Sequence, residues 1–390
     1  MKLWAWTILG ATTLLACGNA GSEQGTTTSS TTGSGGSGGA GGSATTATTA
    51  TGSGTTSSGA VGSGGGAATG HLTVQVAPDP TLPDQIVAAI EGATVSVHMT
   101  MYILDDDKIV AALLDRKQAG LDVRVVLNQT FPTGTVQTNP ATFTKLQGAG
   151  IGVVWRNGPP GAHAGAYTHE KAFVLDGKRA FIMTMNLDHS APLYNREYLV
   201  IDDTPADVAE TDAIFLADYT GTADTSGAPL VVSPGPPGNS RAALVALIDA
   251  ATTTLDVEGE EFSDNTAGGV TAAIAAAAHR GVATRVVVAN DTFSTAETTA
   301  IATVKAGGAK VVMSGGTSGK ATAANPYIHA KAIVIDCAGT TCARGYLGSE
   351  NFTGNSLGDN RELGLILDDA TELSKVEAAI TTDFAKGTAQ

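Results

Sequence analysis

His169-Glu-Lys-Ala-Phe-Val-Leu-Asp176 and His329-Ala-Lys-Ala-Ile-Val-Ile-Asp336 repeat one pattern at a spacing of 160 residues. Side chains two apart on a strand share a face. Each copy therefore places an imidazole beside an ammonium, His169 with Lys171 and His329 with Lys331. The alternate positions Ala172, Val174, Ala332 and Val334 are apolar, as a buried strand requires, and Asp176 and Asp336 fall past the strand end.

Further segments recur around these two. Thr94-Val-Ser-Val-His-Met-Thr-Met-Tyr102 answers Thr254-Leu-Asp-Val-Glu-Gly-Glu-Glu-Phe262 at 160, and Arg124-Val-Val-Leu answers Arg285-Val-Val-Val at 161. Asn195-Arg-Glu197 answers Asn360-Arg-Glu362 at 165. One insertion, Cys337-Ala-Gly-Thr-Thr-Cys342, is read as the source of the whole change in spacing. In the first half, helical patterns lie at 82–92, 107–119 and 140–148. Strand runs lie at 72–77, 94–103, 121–127, 150–155, 170–175, 179–184 and 197–201. The second half shows helices near 239–251, 266–280 and 295–306, and strands near 253–258, 282–289, 309–313, 330–335, 343–348 and 362–367. A last helix covers 369–385. This alternation predicts an α/β fold with buried, mixed or parallel sheets, duplicated in tandem. Pro234-Gly-Pro-Pro-Gly238 breaks the chain between the halves. The expected domains are 71–233 and 234–390.

Ahead of the repeat stand two other segments. Met1-Lys2 and the apolar run Leu3–Leu15 are too short to span a membrane and read as a secretory signal. Leu14-Leu15-Ala16-Cys17 resembles the bacterial lipobox, so residues 1–17 are expected to be a lipoprotein signal with Cys17 lipidated. Residues 18–70 are almost wholly Gly, Ser, Thr and Ala with one charged residue, Glu23. Such a segment buries too little apolar surface to offset chain entropy and reads as a flexible tether with a reach of roughly 40 Å. The expected location is the bacterial cell envelope, exported and lipid-anchored. The 390 residues carry a net charge of −15, with 22 Lys+Arg against 37 Asp+Glu. That balance disfavours a nucleic-acid scaffold without excluding a local basic pocket. No GxxxxGK[ST] run and no Cys-His cluster at metal spacing occurs, so neither metal nor cofactor is called for.

Downstream of each His come hydroxyl and amide residues, Thr184 with Asn186 and Ser349 with Asn351. Lys, Asn and Ser/Thr suit the non-bridging oxygens of a phosphoryl group, and a neutral His suits attack on it. These residues resemble the phospholipase D superfamily, whose signature is HxK, four residues, Asp, then GSxN. Gly348-Ser-Glu-Asn351 matches fully; Met183-Thr-Met-Asn186 replaces Gly by Met and Ser by Thr. The resemblance implies two tandem phospholipase D-like α/β-sandwich domains related by pseudo-twofold symmetry, with one active site at their interface in a monomer. It implies His169 as nucleophile, His329 as general acid and base, and Lys171, Lys331, Asn186, Asn351 and Ser349 around the phosphate. Glu197 and Glu362 would each hold a His, as an orienting carboxylate does in a triad. Asp176, Asp336, Thr184 and Gly348 would be structural.

The spacing of Cys337 and Cys342 in an exported chain predicts a disulfide in a tight turn. Glu258, Glu260 and Glu261 could line the pocket or form a solvated strand edge, and Tyr167 and Tyr327 could flank the site or sit in the core. Three functions compete. A phospholipase D on phospholipid headgroups, at the membrane through its anchor, is favoured by export and the acidic body. A metal-independent endonuclease on DNA or RNA needs a basic groove that the scattered lysines do not supply. A silent surface-anchored binding module rests only on Met183 and Thr184. A cardiolipin-type synthase is set aside because no apolar span follows residue 17.

Overall fold

The computed structural model describes residues 70–132, 137–159, 161–162, 165–222, 229–234, 238–339 and 341–390. The lipobox, Cys17 and the tether at 18–70 therefore lie outside the described residues, Gly70 excepted. In the first half the elements are β1 (Leu72–Ala77), α1 (Leu82–Glu91), β2 (Ser96–Met101), α2 (Asp107–Gln118), β3 (Asp122–Asn128), α3 (Asn139–Gly148) and β4 (Gly152–Arg156). They continue with β5 (Lys171–Leu175), β6 (Arg179–Met183), α4 (Ala191–Tyr194), β7 (Asn195–Asp202) and α5 (Pro205–Thr220). The second half runs β8 (Leu230–Ser233), α6 (Ser240–Asp249), β9 (Thr254–Gly259), α7 (Val270–His279), β10 (Ala283–Ala289), α8 (Thr295–Ala306) and β11 (Lys310–Ser314). It ends with β12 (Tyr327–Ile328), β13 (Lys331–Ile335), β14 (Arg344–Gly348), α9 (Gly354–Gly358), β15 (Glu362–Leu367), α10 (Ala370–Lys386) and β16 (Thr388–Ala389).

Each half forms one mixed sheet, in the orders β1-β7-β6-β5-β2-β3-β4 and β16-β11-β10-β9-β13-β14-β15-β8. The strands β2, β3 and β4 run parallel, as do β9, β10 and β11, while β5 and β13 join them antiparallel. β8 pairs with β15, so the second sheet begins at Leu230, upstream of the expected division at 234.

The pleat divides the strand residues between two environments. Phe173, Leu175, Phe181, Met183 and Leu199 pack outward against α1, α2 and α3, and Ile333, Ile335 and Tyr346 pack likewise under α6 and α7. Ala172, Ile182, Tyr198 and Val200 share one apolar cluster with Ala332, Val334, Leu347, Leu363 and Leu365. The two sheets thus face each other across a common core, which fixes the relative position of the halves. Helix ends follow their caps. Asp106 accepts the Lys108 and Ile109 amides at 2.9 and 3.1 Å before α2, Ser294 and Glu297 form a capping box on α8, and Asp369 caps α10.

Three features depart from the sequence expectations. The register pairs Met101 with Lys171 and Gly259 with Lys331, so β2 answers β9 at a spacing of 158, not 160. Asp176 and Asp336 agree, since they receive the amides of residues 94–96 and 252–254. A slip of two keeps every side chain on its own face, so the apolar pattern fits either alignment. The loops after β9 and after β13 therefore both change length, and a single insertion does not explain the spacing. Helix α5, unread in the sequence, packs on the first sheet as α10 packs on the second. Cys337 and Cys342 are bonded in the turn between β13 and β14, as expected.

Candidate active site

The left-handed turn after each HxK strand is held by the aspartate of the motif. Asp176 and Asp336 adopt φ of 57° and 54°, a region that a short carboxylate side chain tolerates. Asp176 accepts the Val95 amide at 2.7 Å and the Ser96 amide at 3.0 Å; Asp336 accepts the Thr253 amide at 2.6 Å and the Thr252 amide at 2.9 Å. Partial burial raises each carboxyl, but the backbone amides outweigh it and hold both at about 2. Both residues tie the HxK strand to its neighbour and lie away from the histidines.

The two histidines meet at the seam between the halves. Asn195 and Arg196 of β7 pair with Tyr327 and Ile328 of β12, and the mirrored bridge joins Thr168 to Arg361. The His169 amide donates to the Arg361 carbonyl at 2.8 Å, and the His329 amide to the Arg196 carbonyl at 3.3 Å. The Asn-Arg-Glu tripeptide of one half thereby aligns the HxK strand of the other. Its arginines are anchored by buried ion pairs, Arg196 Nε to Asp383 Oδ2 at 2.6 Å and Arg361 Nη2 to Asp218 Oδ1 at 3.0 Å.

This crossing carries through to the side chains. His169 Nδ1 lies 2.9 Å from Glu362 Oε2 and 3.0 Å from Oε1; His329 Nδ1 lies 2.8 Å from Glu197 Oε1, with its N–H out of line. Each glutamate serves the histidine of the opposite half, a pairing that residue spacing could not reveal. Burial alone would raise Glu362 and Glu197, but the facing histidines reverse it and both are lowered. Burial holds His169 down at about 4, against the pull of Glu362 and with help from Lys171 and Lys331. His169 is therefore neutral at neutral pH. Lys171 and Lys331 are fully buried, and each Nζ donates to the carbonyl of its own histidine, at 2.6 and 2.5 Å. Asn186 and Asn351 are buried, and the Asn351 amide donates to Glu260 Oε2 at 3.4 Å.

Of the two hydroxyls, Thr184 braces the strand as a structural residue and Ser349 stands elsewhere than expected. Thr184 donates to Glu197 Oε2 at 2.6 Å and accepts the Tyr198 amide at 2.9 Å. Ser349, expected beside the phosphate, accepts the Leu363 amide at 3.0 Å. Both brace the strand that carries the glutamate, because their positions pair with β7 and β15. Gly348 is a packing residue. It faces Gly364, where a Cβ would come within 2.5 Å of the Gly364 Cα and collide with the Tyr346 hydroxyl. In the first half Met183 faces Leu199, and Phe181 stands where Tyr346 does, so the methionine fills space that the tyrosine hydroxyl takes in the other copy. Met183 is therefore accommodated by packing, while Thr184 gives Glu197 a hydroxyl donor that Glu362 takes from Ser356 instead.

Three residues at the site carried too little signal to assign from sequence. Tyr102 packs its ring against His169, with centroids 4.6 Å apart, and Lys171 Nζ sits 5.2 Å from the same ring. Glu260, buried, takes Lys331 Nζ at 2.8 Å and lies 3.4 Å from His329 Nε2. Glu258 is fully buried between the sheets, where it accepts from the Tyr198 hydroxyl at 2.6 Å; burial and Asp383 push it up to about 8. Neither glutamate lies on a solvated edge. Tyr167 and Tyr327 both flank the site.

Two α/β halves, each bringing a His and a Lys to one seam and a carboxylate to the opposite His, make a duplicated fold with one shared site. Residues 86–219 and 244–384 match the family described as "Cardiolipin synthase, PLD-like domain", and the chain belongs to that family. Cardiolipin synthase A of Yersinia pseudotuberculosis is 28% identical over 159 residues, 38% of this chain and 31% of that protein. The protein of the same name from Yersinia pestis matches equally. The chain thus spans about a third of the length of these relatives. Among solved structures, a phosphatidylserine synthase from Haemophilus influenzae superposes with a TM-score of 0.58 at 14% identity, covering 82% of this chain and 87% of that one. A polyphosphate kinase from Porphyromonas gingivalis superposes at 0.60 and 13% identity, covering 82% and 48%. Both likenesses are of fold. The family name is that of the synthase type set aside for want of an apolar span; among the described residues no helix is long and apolar enough to cross a membrane.

Proposed function

We propose that this chain is a phosphodiesterase of phospholipase D type that acts on phospholipid headgroup phosphodiesters through a phosphohistidine on His169. The crossed His–Glu pairing carries the reading. A carboxylate at each Nδ1 keeps the proton there and turns each Nε2 toward the reaction. In the first step the Nε2 lone pair of neutral His169 attacks phosphorus, the bond to the leaving alcohol breaks, and His329 passes its Nε2 proton to that oxygen. In the second, His329 takes a proton from water or an acceptor alcohol, whose oxygen attacks phosphorus and breaks the P–N bond. Lys171, Lys331, Asn186 and Asn351 hold the non-bridging oxygens.

A lipid substrate is supported by the names of the sequence relatives and by the lipobox-like Leu14–Cys17, which would hold the enzyme at a membrane of the cell envelope. The single chain supplies both halves of the site, so a monomer suffices. The test incubates the full chain with phosphatidylcholine vesicles and, separately, single-stranded DNA, both in EDTA, beside His169→Ala and His329→Ala. Headgroup release abolished in His169→Ala, with labelled phosphoryl trapped on His169 in His329→Ala, is expected. DNA cleavage without headgroup release would overturn the substrate, and label on His329 would reverse the roles.

A further inference from the structure

β2 and β9 are equivalent strands, yet they deliver different residues to the seam. With the register aligned at Met101 and Gly259, the next residue is Tyr102 in one half and Glu260 in the other. Tyr102 offers an aromatic ring to His169 and Lys171. Glu260 offers a carboxylate at the same place. Its Oε2 takes Lys331 Nζ at 2.8 Å and Asn351 Nδ2 at 3.4 Å, and lies 3.4 Å from His329 Nε2. These are the three groups that the second half presents to a phosphoryl oxygen. The Tyr327 hydroxyl lies 3.2 Å from Oε1 and 2.6 Å from Asp291 Oδ2, which fixes the carboxylate from behind. Burial would neutralise Glu260, but His329 and Lys331 overcome it and hold the group at about 2, so it is ionised. The seam is thereby asymmetric in charge: one half meets an anion with a π-face, the other with a resident anion.

We propose that Glu260 is a specificity-determining residue that sits in the seat of one phosphoryl oxygen and selects singly charged phosphodiesters over doubly charged phosphate monoesters. This rests on the reading above, in which the phosphoryl group binds between the two His-Lys-Asn sets. A phosphodiester brings two non-bridging oxygens sharing one charge, and the donors left by Glu260 suffice for it. A monoester brings a third oxygen and a second charge, and both meet the Glu260 carboxylate in a site with little water to screen them.

Calorimetric titration of the full chain at pH 8 with inorganic phosphate, mostly a dianion there, and with dimethyl phosphate, a monoanion, tests this without requiring turnover. Glu260→Gln keeps the shape and removes the charge; Glu260→Tyr copies the first half and serves if the glutamine variant melts early. Both variants should bind phosphate at least tenfold more tightly than the unmodified chain and dimethyl phosphate less than threefold more tightly. An equal gain for both anions, no gain, or weaker binding overturns the assignment, the last making Glu260 a support for Lys331. If no form binds either anion, the phosphoryl placement falls and the proposed function with it.

Discussion

Glutamine in place of Glu362 should be far more damaging than glutamine in place of Glu197, although the two positions are equivalent. Glu362 Oε1 already accepts from Ser356 Oγ at 2.5 Å and Asn360 Nδ2 at 3.4 Å. Those donors will claim the amide oxygen of the glutamine. The NH₂ group then occupies the place of Oε2, 2.9 Å from His169 Nδ1. The amide oxygen at Oε1 stays 3.0 Å from Nδ1, but the nearer NH₂ opposes an N–H there and favours the tautomer that carries its proton on Nε2. The proposed nucleophile loses its lone pair, and the rate should fall by about 10⁴-fold, as for a wrong tautomer in a triad. At Glu197 the order is reversed. Oε1 receives Asn195 Nδ2 at 3.1 Å and faces His329 Nδ1 at 2.8 Å, so the amide oxygen belongs there. The NH₂ then points at Thr184 Oγ1, which can turn its own proton to the Tyr198 carbonyl 3.4 Å away. His329 keeps its tautomer and loses the carboxylate charge that faces it, roughly tenfold to a hundredfold in rate. Single-turnover headgroup release with the two variants, alongside ¹⁵N chemical shifts of the imidazoles, reads both effects. Equal losses, or a His169 that keeps its proton on Nδ1 in Glu362→Gln, would refute this account of how the neighbours sort the amide.

Restoring the family glycine should harm the first half. Met183→Gly removes a buried side chain opposite Leu199, costing about 2–5 kcal/mol of stability by denaturant melts without raising activity; a gain in rate would refute the packing account. Asp218→Ala strands the buried Arg361 guanidinium and should cost about 3–5 kcal/mol, whereas Asp218→Leu with Arg361→Met should recover most of it, as a double-mutant cycle would show. Asp176 and Asp336 sit at about 2 when folded, below their unfolded value near 3.9, so the unfolded chain binds more protons between these limits. Their contribution is complete above pH 4 and is lost as pH falls toward 2. Asp336→Asn should flatten the acid-unfolding slope in that window, and an unchanged slope would argue against it.

The duplication and the HxK residues were legible because strand periodicity and residue type survive any small error of alignment. Register did not survive it. The two-residue slip in β2 against β9 hid the equivalence of Tyr102 and Glu260, since period-2 patterns are blind to even shifts. α5 was readable in principle. Thr204-Pro205 marks a helix start and Gly221, at φ 76°, its end, and the 165-residue spacing of the Asn-Arg-Glu copies maps it onto the helix read at 369–385. The hydroxyl of Ser349 misled because a motif names residue types without saying which face of the strand they take. The crossing of Glu197 and Glu362 belongs to tertiary contact between halves and leaves no local trace.

That crossing has a physical consequence for how the duplicated chain works. Neither half positions its own histidine alone. His169 depends on the Arg361 carbonyl and the Glu362 carboxylate, and His329 on Arg196 and Glu197. The same two tripeptides are fastened by ion pairs reaching to α5 and α10, helices that pack on the sheets at the ends of the two halves. Those pairs lie at the margin of the apolar cluster shared by the two sheets. Separating the halves would expose that cluster, strand two buried arginine–aspartate pairs and leave each imidazole without its carboxylate. Burial of the interface and orientation of the histidines are one equilibrium. The energy that holds the sheets together is the energy that keeps His169 neutral and aimed.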